Sequence, residues 1–252
     1  MPINVCIPGI SGKMGIEIAK LVMLDESNIR LAAGVLRSDK ITAATETINK
    51  SLGVDQDSDF IISDNLQNSI SNCDVCIDFT RPEYSMKILN ECIENNKKLV
   101  IGTTGFSENQ IKKIELASKK IPILKASNMS IGINLCLKLV EKASSSIGDI
   151  SDIDIIEHHH KHKVDMPSGT SLAFEDTIKN NLSVKKNINH HCLRVGNVVG
   201  DHMIKFTLDN ESIEINHKSF DRKIFAEGAI LALKWISDKD KGLYTMSDAL
   251  SL

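Results

Sequence analysis

A surplus of basic residues is the first thing this chain lacks. Lysine and arginine number 30 against 33 aspartates and glutamates, for a formal net charge of −3. A general nucleic-acid binder carries a clustered positive excess instead, so no nucleic-acid partner is expected. No continuous apolar run approaches the roughly 20 residues needed to span a bilayer. The N-terminus passes from Met1-Pro2 directly into Ile3-Asn4-Val5-Cys6-Ile7, without the charged and apolar regions of a secretory signal. The expectation is a cytoplasmic protein with no membrane partner. Low-complexity linkers and internal repeats are also missing. With 252 residues, 42% hydrophobic and 25% charged, the chain has ordinary globular composition and room for two modest domains.

Cysteine is present but shows no framework. The six stand at positions 6, 73, 76, 92, 136 and 192, mostly inside apolar stretches, and read as reduced core residues. Cys73-Asp74-Val75-Cys76 has C-x-x-C spacing. In a strand, however, positions three apart point to opposite faces, whereas a redox pair needs adjacent thiols.

The densest chemistry lies in Glu157-His158-His159-His160-Lys161-His162-Lys163, which continues to Pro167-Ser168-Gly169-Thr170. Upstream, Ser151 to Ile156 sets Ile153 and Ile155 on one face and aspartates on the other, the period of a half-buried strand, so the cluster is expected where that strand ends. Downstream, Leu172, Phe174, Ile178 and Leu182 are spaced largely as on a helix, with Ser168, Gly169 and Thr170 at its N-terminus. Such an end offers free N–H groups to an anion. Imidazoles, ammonium groups and an anion-binding helix end suit a small acidic substrate that needs proton transfer. Two other readings of the tract stay open, a metal site and a solvated basic turn. Lysines interspersed among the ligands oppose a cation, so no metal is expected.

At the N-terminus, the strand Ile3 to Pro8 leads into Gly9-Ile10-Ser11-Gly12-Lys13-Met14-Gly15, then into a run with Met14, Ile18, Leu21 and Val22 on one side. Strand, glycine loop and helix form a dinucleotide-binding opening, although Ser11 stands where the second glycine usually falls. The next strand, Ile29 to Leu36, ends about twenty residues on, where an NAD site carries an acid for the ribose hydroxyls. Leu36 fills that place. Arg37 follows, and a guanidinium suits a 2′-phosphate.

Residues 38–72 are polar apart from Phe60-Ile61-Ile62 and carry no readable chemistry. Strands are then expected at Asp74 to Phe79, Lys98 to Ile101 and Ile121 to Leu124. Helices lie between them, one opened by Pro82 and one by Ser107 and Gln110 in capping-box spacing. Alternation of this kind implies a parallel sheet that binds ligands at the carboxyl ends of its strands. Gly102-Thr103-Thr104-Gly105 and Ala126-Ser127-Asn128-Met129 leave two such ends. After about residue 128 the rhythm changes. A long helix from Ile131 to Ser146 and the strand before the His/Lys tract are followed by strand-like runs Cys192 to Val195, His202 to Leu208 and Ser212 to His217. The last two are expected to form a hairpin across Asp209-Asn210. This describes a separate α+β domain with a mixed sheet whose exposed face serves oligomerisation. A helix through Ala226, Ile230, Leu233 and Trp235, and then Gly242 to Met246, return to the first domain. The expected division is residues 1–127 with 223–252, and 128–222.

Three segments together, Glu157 through Thr170, Asp78-Phe79-Thr80-Arg81-Pro82-Glu83 and Gly102-Thr103-Thr104-Gly105-Phe106, resemble the dihydrodipicolinate reductase family, which acts on 4-hydroxy-tetrahydrodipicolinate in lysine and diaminopimelate synthesis. The likeness covers nearly the whole chain. It implies an α/β Rossmann dinucleotide-binding domain plus an α+β domain whose sheets assemble a homotetramer. It also implies a nicotinamide-dependent enzyme that removes water from a cyclic hydroxy-imine dicarboxylate and reduces the resulting ring. By the same likeness His159 is the general acid/base and Lys163 the second proton donor. His160, Gly169 and Thr170 are substrate-carboxylate ligands. The cofactor contacts are Gly9, Ile10, Ser11, Gly12, Lys13, Met14, Arg37, Gly102, Thr103, Thr104, Ala126, Ser127, Asn128 and Met129. With Leu36 in place of the acid many members carry, NADPH is the expected cofactor and NADH a possible second. His158 and Met166 stand where small residues are expected, and the segment between Lys185 and Arg194 is shorter than is common in the family. A non-catalytic NADP-binding sensor and a different amino-acid dehydrogenase are the competing readings. Retention of both His159 and Lys163 beside Gly169-Thr170 argues against the first, and the second would not need this His/Lys tract.

Overall fold

The computed structural model describes residues 1–25, 28–36, 41–53 and 60–252, residues 41–44 by their backbone alone. In chain order the strands are β1 (Ile3–Pro8), β2 (Ile29–Val35), β3 (Ile61–Ser63), β4 (Val75–Asp78), β5 (Lys98–Ile101), β6 (Pro122–Lys125), β7 (Asp152–His159), β8 (Asn189–Arg194), β9 (Gly200–Thr207), β10 (Ser212–Ser219) and β11 (Gly242–Tyr244). The helices are α1 (Lys13–Leu24), α2 (Ile41–Leu52), α3 (Leu66–Ser71), α4 (Pro82–Glu94), α5 (Glu108–Ser118), α6 (Ile131–Ile147), α7 (Gly169–Lys179), α8 (Lys223–Ile236) and α9 (Met246–Leu250). The chain divides into two compact units, Met1–Met129 with Phe225–Ser251, and Ser130–Ile224. None of the described helices is long and apolar enough to cross a membrane.

The first unit is built on a parallel sheet in the order β11-β6-β5-β4-β1-β2-β3. Its strands are apolar on both faces because helices cover both. Val5, Ile7, Val100 and Leu124 face one core, while Cys6, Leu99, Ile101 and Ile123 face the other. The chain builds outward from β1 through β2 and β3, then crosses back to β4. The sheet therefore reverses direction between β1 and β4, and the carboxyl ends of those strands flank the crevice where such sheets bind ligands. Helix α4 starts at Pro82 as expected, and α5 has the Ser107–Gln110 capping box. β11 pairs with β6, so the C-terminal segment extends the first sheet.

The stretch that carries no readable chemistry contains α2, β3 and α3; β3 is a three-residue edge strand whose sparse apolar pattern gives little signal. One expectation needs correction here. Cys73 precedes β4 instead of lying within it, and Cys6, Cys73 and Cys76 belong to one buried cluster. The opposite-faces argument therefore fails, and the three sulfurs share one buried site. All six cysteines are free, and burial drives the Cys76 thiol well above its ordinary value.

The second unit is a mixed sheet in the order β10-β9-β7-β8, with β8 parallel to β7 and β9 antiparallel to it. β9 and β10 form the hairpin, closed by the Leu208 N–H donating to the Glu211 carbonyl at 2.9 Å. Ile153, Ile155, Ile204 and Phe206 form a core with Ile133 and Val140 of α6 and Phe174 and Ile178 of α7. β7 does not stop at Ile156. It runs through His159, so the period of two continues the buried row Ile153, Ile155, Glu157, His159. The His/Lys tract is thus part strand and part loop.

Candidate active site

In the first unit, the carboxyl end of the sheet carries a glycine loop. Gly9 has φ +73°, and its carbonyl accepts from the Gly12 N–H at 2.9 Å. A Cβ on Gly15 would stand 2.6 Å from the Gly9 oxygen, so only glycine lets α1 start this close beneath the loop. Gly12 caps α1 without a side-chain bond, which leaves backbone N–H groups at a positive helix end. Beside it opens a cavity of about 400 Å³ lined by Gly9, Ser11, Gly12, Leu36, Thr80 and Arg81 among others. This cradle fits a dinucleotide phosphate.

The residues expected to contact cofactor differ in exposure. Ser11, Gly12, Lys13, Thr104 and Ser127 are exposed, whereas the Ile10 and Met129 side chains are buried in the core and Met14 packs against it. Ile10 and Met129 have only backbone to offer. Thr103 is buried, with its hydroxyl accepting from the Thr80 N–H at 2.9 Å, so it joins the loops after β4 and β5. Gly102 and Ala126 donate backbone bonds to Asp78 and Ile101. Asn128 is half-buried. Arg37 lies outside the described residues. Leu36 is 5% exposed and lines the cavity, so no carboxylate stands at that position. Sequence reasoning assigned no role to Phe79, Arg81 or Tyr84, which line the same cavity.

The second unit holds the titrating groups. His159 is 6% exposed at the end of β7, and its ring lies edge-on to that of His202, 5.1 Å between centroids. Its Nδ1 is buried without a hydrogen-bond partner among the described residues, and Glu157 Oε1 lies 3.9 Å from it. A Cβ on Gly200 would come within 3.1 Å of His159 Nε2, so the glycine leaves that nitrogen room. Burial lowers the His159 pKa; Glu157 opposes the shift, while Lys163 and Arg194 reinforce it. His202 is pushed down to about 4, by burial and then by His159.

After His159 the chain turns, and the Lys163 N–H donates to the His160 carbonyl at 3.1 Å. Lys163 Nζ lies 2.8 Å from both Asp165 carboxylate oxygens, and this partner holds Asp165 below its usual range. His160 is half-buried and 6.4 Å from the exposed His162 ring. Gly169 and Thr170 open α7 behind the Ser168 cap, whose hydroxyl accepts from the Ser171 N–H at 3.2 Å. No heavy atom would lie within 4 Å of a Cβ on Gly169, so this helix end is open.

Beneath these groups lies Glu157, 1% exposed. Its Oε2 accepts from the Ser168 N–H at 3.0 Å and the Ser171 hydroxyl at 2.5 Å, and its Oε1 from Arg194 Nη2 at 2.5 Å. Burial would raise this carboxyl, but those donors outweigh it and hold the group well below the usual carboxylate range. Glu157, His159 and His202 each bring a ligand-type atom within 4.8 Å of the others, the spacing of a metal site. The guanidinium already on Oε1 and the two donors on Oε2 engage both carboxylate oxygens. Sequence reasoning gave no role to Glu157, Ser171, Arg194 or His202. Counting by twos from Ile153 reaches Glu157, but its partners on α7, β8 and β9 carry no local signal.

A Rossmann-ordered parallel sheet with a glycine cradle, joined in one chain to a mixed sheet bearing a buried His–Glu network, defines a two-domain dinucleotide-binding protein. Comparison with known proteins narrows the class: residues 3–129 match the family described as "Dihydrodipicolinate reductase, N-terminus" and residues 132–250 "Dihydrodipicolinate reductase, C-terminus". The chain belongs to the dihydrodipicolinate reductase family. It is 37% identical to 4-hydroxy-tetrahydrodipicolinate reductase of Buchnera aphidicola subsp. Schizaphis graminum, covering 98% of this chain and 96% of that one. The counterpart from Buchnera aphidicola subsp. Cinara cedri is 38% identical with the same coverage. Among solved structures, dipicolinate-bound dihydrodipicolinate reductase from Paenisporosarcina sp. TG-14 superposes with a TM-score of 0.85 at 27% identity, covering 97% of this chain and 98% of that one.

Proposed function

We infer that this protein is an NAD(P)H-dependent 4-hydroxy-tetrahydrodipicolinate reductase of lysine and diaminopimelate synthesis. The first unit holds the nucleotide, and the second binds the cyclic dicarboxylate and forms the oligomer. The observation that carries the reading is a neutral, enclosed His159 with Lys163 four residues on and the open α7 N-terminus at Gly169, twelve beyond the strand's Glu157. Loss of water from the hydroxy-imine requires a proton taken from one ring carbon and one delivered to the leaving hydroxyl. Bound at the glycine cradle, the nicotinamide nucleotide supplies the hydride, and the reduction then needs one more proton on the ring. His159, neutral at rest, takes a proton through Nε2, since Nδ1 is enclosed, and afterwards returns it. Lys163 delivers the other. His160 and the N–H groups at Gly169 and Thr170 hold the carboxylates.

The test couples the purified chain to the aldol product of pyruvate and aspartate semialdehyde and follows NADPH absorbance, with pyridine-2,6-dicarboxylate as competitor. Oxidation that depends on the chain and is inhibited competitively by the planar dicarboxylate is the expected result. Binding of the nucleotide without turnover favours the sensor reading instead.

NADPH is the preferred cofactor. Leu36 neither accepts hydrogen bonds from ribose hydroxyls nor repels a 2′-phosphate, and Arg37 supplies a guanidinium next to it in sequence. Lys13, exposed at the start of α1, adds a second positive charge. kcat/KM with NADPH should exceed that with NADH by about tenfold or more, the equivalent of some 1.4 kcal/mol. Leu36→Glu should shift preference toward NADH, Arg37→Ala should weaken NADPH alone, and added salt should erode NADPH affinity more. Equal efficiency in the unsubstituted protein would refute the preference.

The sheet face opposite α6 and α7 shows half-buried Ile156 and Met203 beside Asp154 and Lys205. That mixed surface suits a second copy, and a homotetramer by analytical ultracentrifugation is the expected assembly of a cytoplasmic enzyme.

A further inference from the structure

The proton-transfer and carboxylate-binding groups proposed above sit on three different pieces of backbone, and one buried side chain touches or tethers each. Glu157 is two residues before His159 on the same strand face, with Oε1 3.9 Å from its Nδ1. Its Oε2 holds the first turn of α7, the turn that presents Gly169 and Thr170, through Ser168 and Ser171. Its Oε1 binds Arg194 of β8, and the same Nη2 donates to the Asp165 carbonyl at 2.6 Å. Asp165 is the residue whose carboxylate grips Lys163.

Stability alone is a weak explanation for a carboxylate here, because well-packed apolar residues commonly do as well as a buried ion pair. The unpartnered His159 Nδ1 supplies another. A ring that accepts its proton at Nε2 already carries one on Nδ1, and the imidazolium so formed has N–H on both nitrogens; Glu157 Oε1, 3.9 Å from Nδ1, faces the charge that protonation adds. We propose that Glu157 is the positioning residue of this site, a fixed buried anion that stabilises protonated His159 and holds the Lys163 loop and the α7 N-terminus in register with it. The proposal rests on the functional reading above and extends it to a residue that does not touch substrate.

Several charged and titratable groups face His159. Glu157 does so from β7, Lys163 and Asp165 from the following loop, Arg194 from β8, and His202 from β9, with His217 of β10 beyond it. Cys192 of β8 lies beside Glu157; burial and that anion raise its pKa, so it adds no charge. Of these groups Glu157 and Asp165 favour the imidazolium, and Glu157 is the larger influence.

Glu157→Gln keeps the size and removes the charge. It should lower the His159 pKa further, by about one unit, as loss of a nearby opposite charge does. It should also cut kcat by about tenfold or more, with NADPH affinity and circular dichroism unchanged. The pKa is read from the imidazole C2–H resonance by NMR, assigned by its absence in His159→Asn, and needs no turnover. An unmoved pKa, or an unmoved kcat, overturns the proposal. If Glu157→Gln does not fold, Glu157→Asp decides by the same two readouts, since its shorter carboxylate draws back from Nδ1. Arg194→Lys keeps a positive charge but cuts the bridge to Asp165. It should lower kcat or raise the KM for the dicarboxylate while leaving the His159 pKa in place, and unaltered kinetics would remove the Lys163 loop from the proposal. Failure of the unsubstituted protein to reduce the hydroxy-imine would refute the functional reading, a result separate from the His159 titration.

Discussion

His159→Ala lowers kcat by about 10²–10⁴-fold, the range for a positioned proton-transfer group, and leaves NADPH affinity unchanged. The imidazole is buried and its pKa depressed, so on the proposed mechanism it starts as the free base. This fixes the sign of the pH dependence. A base in this position is lost as pH falls through its pKa, so kcat/KM declines toward acid with a limb below the ordinary value of about 6.5. A rate that rose with acidity over that range would show that the resting form must be the imidazolium. Lys163→Ala should bring a loss of the same order, because the ammonium is held by both Asp165 oxygens at 2.8 Å and no other lysine of the tract is so fixed among the described residues. The controls are nucleotide binding by fluorescence and pyridine-2,6-dicarboxylate binding by calorimetry. His159→Ala should retain both, whereas Lys163→Ala should lose inhibitor affinity by about 1.5–3 kcal/mol, the cost of a charge-assisted bond. A near-normal kcat in either variant removes that residue from the mechanism.

How much of this site was legible beforehand depended on whether the signal was local. The Ile153–Ile155 alternation, the Ser107 capping box and the glycine loop are patterns a few residues long, and each folds as read. Glu157 lies on the same alternation, yet a charged residue ordinarily ends an apolar row. What keeps it buried is Ser168 and Ser171 from α7 and Arg194 from β8, up to 37 residues away. That compensation is tertiary and leaves no trace in local hydrophobicity. His202 is hidden for a related reason. On β9 it falls in the buried set of a strand that reads only as alternating, and its closeness to His159 arises from antiparallel pairing with β7. The thiols at Cys6, Cys73 and Cys76 show the opposite error. A spacing argument correct for a continuous strand was applied to a residue in the turn before it. The α2, β3 and α3 segment was unreadable because a short edge strand buries little.

Acid should loosen the second unit well before its carboxylates are neutralised. His202 is 5% exposed and has a pKa of about 4, set by burial first and then by the neighbouring His159, with Glu157 opposing and His217 and Lys163 adding to the depression. Its folded pKa lies below the unfolded value, so between about pH 6.5 and 4 the unfolded chain takes up a proton that the folded chain refuses. The contribution to stability is complete above about pH 6.5 and falls away with acidity. Over the whole window the loss amounts to about 3 kcal/mol for this one group, at 1.36 kcal/mol per unit. His159 and His217, also lowered by burial, act in the same direction. Glu157 has the reverse placement: its depressed pKa means that its contribution is lost only as pH falls below the ordinary glutamate value, so it does not confuse the upper part of the window. Urea unfolding followed by circular dichroism at about pH 7.5 and 5 should show a drop of about 2 kcal/mol attributable to His202. His202→Gln, which keeps a hydrogen-bonding side chain beside Ser168 and cannot titrate, should show a correspondingly smaller drop, even if it is less stable at the higher pH. The same pH dependence in both proteins would mean that His202 is already protonated in the fold, with Glu157 compensating its charge, and that the acid sensitivity arises elsewhere.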